Sequence, residues 1–269
     1  MNSTLIHQAF TEKTTSFNEE LKTAVLSTLS ALDEGKVRIC EKKETGWQVN
    51  EWVKEAILLY FRMEKMRPFQ AGDFNFFDKV PLKKWTGKEG VRVVPQALVR
   101  KGAFVEKNSV LMPSYINIGA YVGEGALIDT WATVGSCAQV GARVHVSGGV
   151  GLGGVLEPVQ ARPVIIEDDV FLGSRSIIVE GVQVKSGAVI GAGTVITAST
   201  PILDVCGTEV QTLKGEVPEN SVVIPGSRSK QFPAGEYQVP CALIIGKRSE
   251  STNKKISLNE CLREFNVPV

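Results

Sequence analysis

Histidine is the scarcest chemically versatile residue in this 269-residue chain, with only His7 and His145 present. A zinc site built from three histidines is therefore unavailable within one chain. His145 could supply one ligand at most, or a single base. Five cysteines, Cys40, Cys137, Cys206, Cys241 and Cys261, are scattered without metal-ligand spacing. No metal is expected, and an odd, unpatterned set reads as reduced thiols in the cytoplasm. A surplus of either charge is also missing. The formal net charge is +1, with both signs interspersed, which argues against a nucleic-acid or anionic-membrane patch. No apolar run approaches membrane-spanning length, and no basic region followed by an apolar core suggests a signal peptide. The glycine-rich run Gly148-Gly149-Val150-Gly151-Leu152-Gly153-Gly154 lacks the GxGxxG spacing and no helix follows it, so a dinucleotide fold is excluded.

What is present is a period of six. Aliphatic residues recur at Val93, Val99, Val105 and Leu111, then at Ile116, Val122, Ile128, Val134, Val140, Val146 and Leu152. They return at Ile166, Leu172, Ile178, Val184, Ile190 and Ile196. One residue is dropped after Leu111 and a loop is inserted after Leu152. The fourth place after each is Ala, Ser, Thr or Val, except at Tyr115 and Leu156. About half of ordinary residues are apolar, so this run has a chance probability of roughly 10⁻⁵. Hexapeptide repeats mark parallel β-helices. Each hexad supplies a short flat strand and a turn, and three hexads close a triangular coil. The aliphatic residue points to the axis with the small residue beside it, and Gly, Asn or Asp takes the turn. At a strand spacing of about 4.8 Å, nearly six coils give a prism roughly 27 Å long.

The rest of the chain divides around this array. Residues 1–90 read as a helical cap. Ser16 and Glu19 suggest a capping box, Leu21, Val25, Leu29 and Leu32 form an apolar stripe, and Gly35 suits a C-cap. A hairpin is expected with Val37 and Ile39 on one arm and Trp47 and Val49 on the other. Asn50 would cap a second helix running to about Met66. An aromatic linker, Pro68 to Gly90, carries Phe74, Phe76 and Phe77, rings expected to pack onto the cap or the first coil. Residues 91–228 form the array, with an inserted loop at 153–165 bearing Glu157, Gln160 and Arg162. That loop could cover a neighbouring site or be a surface excursion. A hairpin is expected around Gly207, with the period returning at Val217 and Val223 beside Ser221 and Ser227. Residues 229–269 would form a small α/β cap over the open end of the solenoid, with a strand from Cys241 to Ile245 and a helix near Ser257 to Phe265.

Three sets of residues carry candidate chemistry. Asp129 follows its hexad's aliphatic residue, where an acid can be a turn former or a base. Trp131, two places on, is hard to explain as a turn residue, and its ring could raise the pKa of a nearby carboxylate. Arg92, just before the first hexad, is either a solvated charge or an anion clamp. Gly148, Gly149, Gly151, Gly153 and Gly154 would either make turns or let an extended pantetheine arm lie against the main chain.

The strings Phe77-Asp78-Lys79-Val80-Pro81, Arg92-Val93-Val94-Pro95, Val110-Leu111-Met112-Pro113-Ser114 and Asn117-Ile118-Gly119-Ala120-Tyr121-Val122 resemble the bacterial tetrahydrodipicolinate N-succinyltransferase family. So do Asp129-Thr130-Trp131-Ala132-Thr133-Val134-Gly135-Ser136-Cys137-Ala138-Gln139, Ser147-Gly148-Gly149-Val150-Gly151 and Gly153-Gly154-Val155-Leu156-Glu157-Pro158. The resemblance covers essentially the whole chain. It implies a mainly β fold, a left-handed parallel β-helix with an N-terminal helical cap and a small C-terminal cap, in a cytoplasmic homotrimer. The implied reaction moves the succinyl group of succinyl-CoA to the amine of 2-amino-6-oxopimelate, in diaminopimelate and lysine biosynthesis. By the same resemblance Arg92 and Asp129 hold substrate, with Asp129 the candidate base. The family's Arg-Ser-Glu is here Arg175-Ser176-Ile177, so no acid stands at 177, and Asp129 would carry the proton transfer by itself, helped at most by Glu180 or His145. The alternatives are another CoA-dependent hexapeptide acyltransferase, such as a tetrahydrodipicolinate N-acetyltransferase, or a β-helix scaffold without chemistry.

Overall fold

The computed structural model describes residues 2–248. The expected helix at Ser257 to Phe265 and Cys261 lie outside them.

All seventeen hexads form two-residue strands, and each strand ends on its aliphatic residue, from Arg92–Val93 to Val195–Ile196. Equivalent strands pair in parallel, one coil above another, to give three stacks. The first face stacks Arg92, Val110, Leu127, His145, Phe171, Val189 and Val222 at its outward position. Leu98, Tyr115, Thr133, Gly151, Ile177 and Val195 stack on the second. Phe104, Tyr121, Gln139, Ile165, Gln183 and Glu216 stack on the third. The aliphatic residues fill the axis with Ala103, Ala120, Ala126, Ala132, Ala138 and Ala188, all buried. A Val, Leu or Ile fully removed from water contributes roughly 1.5–3 kcal/mol, so one such residue per strand compensates for strands too short to be stable alone. Where a residue is dropped after Leu111, Ser114 takes the inward place and is buried.

The helical part covers the third face. Helices α1 (Ser3–Thr11), α2 (Glu19–Asp33) and α3 (Glu51–Met63) share a core that also contains Ile118 and Cys137 of the prism. Helix α1 was not anticipated. Arg38 lies 3.5 Å over the Tyr121 ring and bonds Gln139 at 3.1 Å, and Trp47 Nε1 donates to Glu167 at 2.8 Å.

Local expectations need several corrections. Helix α2 is capped by Asn18, whose side chain accepts from Leu21 N, because Ser16 lies too far before the first turn. Gly35 does close it, at φ +70°. The first hairpin arm is Cys40–Lys43 rather than Val37 and Ile39, with Cys40 opposite Val49. Asn50 occupies the N-cap of α3, yet its Nδ2 donates to the Arg38 carbonyl. The helix stops at Met63.

The aromatic linker is partly a hairpin, Arg67–Ala71 with Phe74–Asp78. Phe74 and Phe77 are 54% and 65% exposed, so they do not pack onto cap or coil; alternation puts Phe77 on the face opposite Phe76, while Phe74 lies at the turn end beside Phe76, which stacks on Phe69 at 5.3 Å. The hairpin near Gly207 forms, Ile202–Asp204 with Gln211–Leu213. After Val223 the chain leaves the coil along a long hairpin, Ser221–Phe232 with Gly235–Lys247. That hairpin runs through the expected boundary at 228/229 and leaves Ser227 exposed.

The inserted loop is tied to its own chain. Leu156 packs against the helical core. Lys54, fully buried on α3, donates to the Ala161 carbonyl at 2.7 Å, and Arg162 reaches Gly181 O and Gln183 Oε1 at 3.0 and 3.1 Å. Glu157 and Gln160 face solvent.

Candidate active site

The edge between the first and second faces gathers most of the candidate residues. At each coil except that of Pro113, where one residue is dropped, the chain turns there through a left-handed residue, and successive turns are hydrogen-bonded along the edge. Trp131 N donates to Pro113 O, Gly149 N to Thr130 O, Arg175 N to Gly148 O and Gly193 N to Ser174 O. The edge thus reads Pro113, Trp131, Gly149, Arg175, Gly193.

Trp131 adopts φ +60° and is 69% exposed. A bulky residue in that conformation stores roughly 1–3 kcal/mol of strain, and such residues cluster at functional sites. Gly149 takes the same conformation without penalty at φ +70°. It leaves a notch next to Trp131.

Asp129 begins this turn and is half-buried. Its Oδ1 accepts from Thr130 N at 2.6 Å and Thr130 Oγ1 at 3.2 Å. Among the described residues no donor reaches Oδ2, so that oxygen can accept from a ligand. His145, one coil above Leu127 on the first face, stacks on Phe171 at 4.7 Å. Burial there lowers its pKa, with the charge of Asp129 pulling the other way. The imidazole is therefore neutral near pH 7 and within electrostatic reach of Asp129.

Other candidates are not brought together. Arg92 is exposed on the first face, two coils from Leu127 toward the N-terminus, about 10 Å along the axis. Ile177 lies outward on the second face, its Cδ1 only 2.8 Å from where a Cβ on Gly151 would sit. Glu180 stands on the edge between the second and third faces, where Oε2 accepts from Ala198 N at 3.1 Å. Within one chain it is on the wrong edge to assist Asp129.

The glycine run is more structural than its sequence suggested. The N–H groups of Gly149, Gly151 and Gly153 donate to Thr130, Ser176 and Ile178 of adjacent coils. The space beside Gly153 is filled by Val179 and that beside Gly154 by Ser136. Among the described residues, the Gly148 and Gly154 amides have no protein acceptor.

Two features escaped the sequence reading. Arg175 sits on the Trp131 edge at φ +58°, a basic residue between Gly149 and Gly193; that break in the turn pattern was its available signal. Lys54 interrupts the apolar face of α3, visible as a charge among Val53, Ala56 and Ile57. A cleft of about 670 Å³ runs past His145 and Phe171 to Arg143, Asp169 and Arg248. It opens on the other side of the first face and includes none of Arg92, Asp129 or Trp131. No three His, Cys, Asp or Glu side chains among the described residues come close enough to hold a metal ion.

Two family descriptions match the chain: tetrahydrodipicolinate N-succinyltransferase N-terminal, over residues 2–63, and hexapeptide repeat of succinyl-transferase, over residues 163–198. A 2,3,4,5-tetrahydropyridine-2,6-dicarboxylate N-succinyltransferase of Coxiella burnetii is 51% identical over 269 residues, covering 97% of this chain and 98% of that protein. Its namesake in Cupriavidus metallidurans is 49% identical over 271 residues, covering 97% of each. The solved structure of a 2,3,4,5-tetrahydropyridine-2-carboxylate N-succinyltransferase from Campylobacter jejuni aligns with a TM-score of 0.58 at 16% identity, over 83% of this chain and 62% of that one. That likeness bears on the fold, which with the hexapeptide match is a left-handed parallel β-helix.

Proposed function

The chain belongs to the tetrahydrodipicolinate N-succinyltransferase family, and from that premise we propose how the Asp129 edge carries out the reaction. The enzyme is a CoA-dependent N-acyltransferase of diaminopimelate and lysine biosynthesis. It acylates the amine of tetrahydrodipicolinate, taken in its ring-opened form 2-amino-6-oxopimelate, and the donor is succinyl-CoA. The relationship over nearly the whole chain carries the reaction. The unoccupied Oδ2 of Asp129 beside a strained, exposed Trp131 carries the site.

The amine attacks the thioester carbonyl directly, without an acyl-enzyme. Asp129 Oδ2 accepts a hydrogen bond from the amine and takes its proton as the C–N bond forms, a role worth roughly 10²–10⁴-fold. The C–S bond then breaks and CoA leaves as its thiol, the proton returning through Asp129. Neutral His145 keeps the surroundings of that carboxylate polar without adding a cation. The Gly148 N–H is the available backbone donor for the tetrahedral oxyanion. Arg92 pairs with a carboxylate of the acceptor, and Trp131 walls the acyl chain. The pantetheine arm runs past Gly148 and Gly149, where no Cβ stands in its way.

The working assembly is a cytoplasmic homotrimer with active sites between subunits. The second face supports this: Tyr115, Thr133, Gly151, Ile177 and Val195 line it without a charge, and Val195 is 48% exposed. Cyclic closure is the usual way for identical chains to bury such a face. Light scattering should give three times the chain mass, and a fully active monomer would sink the idea.

Transfer itself is tested by thiol release. Succinyl-CoA with tetrahydrodipicolinate should release CoA thiol only when both are present. Release with acetyl-CoA alone as donor would favour the N-acetyltransferase instead.

A further inference from the structure

Arg175 is an arginine built into the Trp131 edge with nothing to hold it. Among the described residues its guanidinium has no ion pair and no hydrogen bond, and the residue is exposed. Its side-chain stem lies over Gly149: a Cβ there would sit 3.3 Å from Arg175 Cγ. On the next rung Gly193 leaves open space, with no atom within 4 Å of a would-be Cβ.

The molecule contains its own control. On the edge between the third and first faces, the turns read Gly125, Arg143, Asp169, Gly187 and Asn220, bonded in the same ladder. Arg143 has φ +57° against +58° for Arg175, and it too follows a glycine. There the rung above carries Asp169, which takes the guanidinium in two bonds of 2.7 Å. An arginine in this turn is thus readily neutralised by an acid one rung on. At Arg175 that place is glycine.

We propose that Arg175 binds the free carboxylate of the acyl donor and so selects a dicarboxylic acyl thioester over an uncharged one, a proposal that rests on the acyl-transfer reading above. Position decides between the possible anions. The new bond forms at Asp129, in the same turn as Trp131, and Arg175 stands two rungs further on, about 10 Å along the axis. Arg92 lies on the opposite side of Asp129, where it serves the acceptor. The donor therefore occupies the Arg175 side. A CoA phosphate is a whole pantetheine arm from the thioester, too far to lie within two rungs of the reacting carbonyl. The carboxylate of a short dicarboxylic acyl chain is only a few bonds from it, and the Gly149 notch gives that chain a floor between Trp131 and Arg175. A planar guanidinium suits bidentate capture of such a carboxylate.

The test compares succinyl-CoA and acetyl-CoA as donors to tetrahydrodipicolinate in the intact enzyme and three variants. Arg175→Gln should lower kcat/KM for succinyl-CoA about 10²-fold more than for acetyl-CoA, with the acceptor KM unmoved. Arg175→Lys, which keeps the charge but loses the fork, should fall between. Gly193→Asp places an acid where Asp169 stands above Arg143, and should shift the donor preference in the same direction without removing the arginine. Thermal midpoints of all three should stay close to that of the parent, since the altered side chains are exposed. Equal losses with both donors, with weaker inhibition by free CoA, would move Arg175 to a phosphate and overturn the proposal. A raised acceptor KM with unchanged donor preference would move it to the acceptor and overturn it equally. An intact enzyme inactive with both donors would instead remove the acyl-transfer reading itself.

Discussion

Two edges of the same prism repeat one backbone ladder and put it to different uses. On the edge between the third and first faces the arginine and the buried acid are both answered: Arg143 by Asp169, and Glu167 by Trp47, Lys42, Gln183 and Ser186. On the edge between the first and second faces the same steps carry Arg175 with no acid above it, and Asp129 with one oxygen unused. Periodic structure supplies identical sockets, so the difference lies in side chains alone. A satisfied edge holds the coils together; an unsatisfied one is available to a ligand.

The largest test of that contrast alters two acids that each follow an inward aliphatic residue, one on either edge. Asp129→Asn keeps the shape and removes the basicity, so kcat should fall roughly 10²–10⁴-fold while the thermal midpoint hardly moves. Glu167→Gln should do the reverse. Burial raises the pKa of Glu167, but bonds from Trp47, Lys42 and Ser186 outweigh it and leave the group lowered. Losing that carboxylate should cost about 1–3 kcal/mol in denaturant melts, with activity per folded molecule retained. Retained activity in Asp129→Asn would reduce Asp129 to a turn former.

Next come the glycines below each arginine. Gly149 and Gly125 both have φ +70°, so alanine at either should destabilise by about 1 kcal/mol. Only Gly149→Ala should also disturb the donor kinetics, because its Cβ would crowd Arg175 at 3.3 Å, against 3.7 Å between Gly125 and Arg143. Equal kinetics in both variants would break the comparison.

How much of this was legible beforehand follows from what has a period. The seventeen aliphatic positions were readable because each must meet the axis, and a fixed rise leaves no freedom in their spacing. Trp131 stood out because a large ring occupies a step that turn chemistry would fill with a small residue, whereas Asp129 suits a turn as well as a site and was marked out by the family resemblance. Arg175 did not stand out, since its lack of a partner depends on Gly193, eighteen residues away in sequence and adjacent only after one full coil. The rings of Phe74 and Phe77 misled for a related reason: hydrophobicity predicts burial, but the hairpin decides what each ring meets, leaving Phe74 at its turn end and Phe77 on the face opposite Phe76. The tie from Lys54 to Ala161 joins residues 107 positions apart, and no local pattern announces it.

Two smaller effects complete the series. The Arg143–Asp169 pair is exposed, so Arg143→Ala should cost only about 0.2–1 kcal/mol and leave transfer unchanged. His145 contributes through pH. Its pKa is lowered in the folded chain, so the unfolded chain binds the proton more readily, and folding stability rises with pH. That contribution is complete above about pH 6.5, the ordinary histidine value, and is lost as the pH falls below it. Melts between pH 7 and pH 5 should show a shallower decline in His145→Gln than in the parent, and parallel declines would assign the effect elsewhere.

A stack of identical rungs has no natural last member, and an uncovered rung is a template for the next chain. Here antiparallel backbone meets the prism on the second face at its start and on the first face at its far end. Near its start, Lys83 N donates to Val99 O and Leu82 bridges Arg100 in antiparallel fashion. At its far end, the strand that begins at Ser221 pairs in parallel with Val189 and Ile190, then doubles back as an antiparallel hairpin. Such coverage disfavours growth along the axis at those rungs. Among the described residues, the flanks that border the Asp129 edge carry no such strand, and they are the surfaces on which the proposed side-by-side assembly would form.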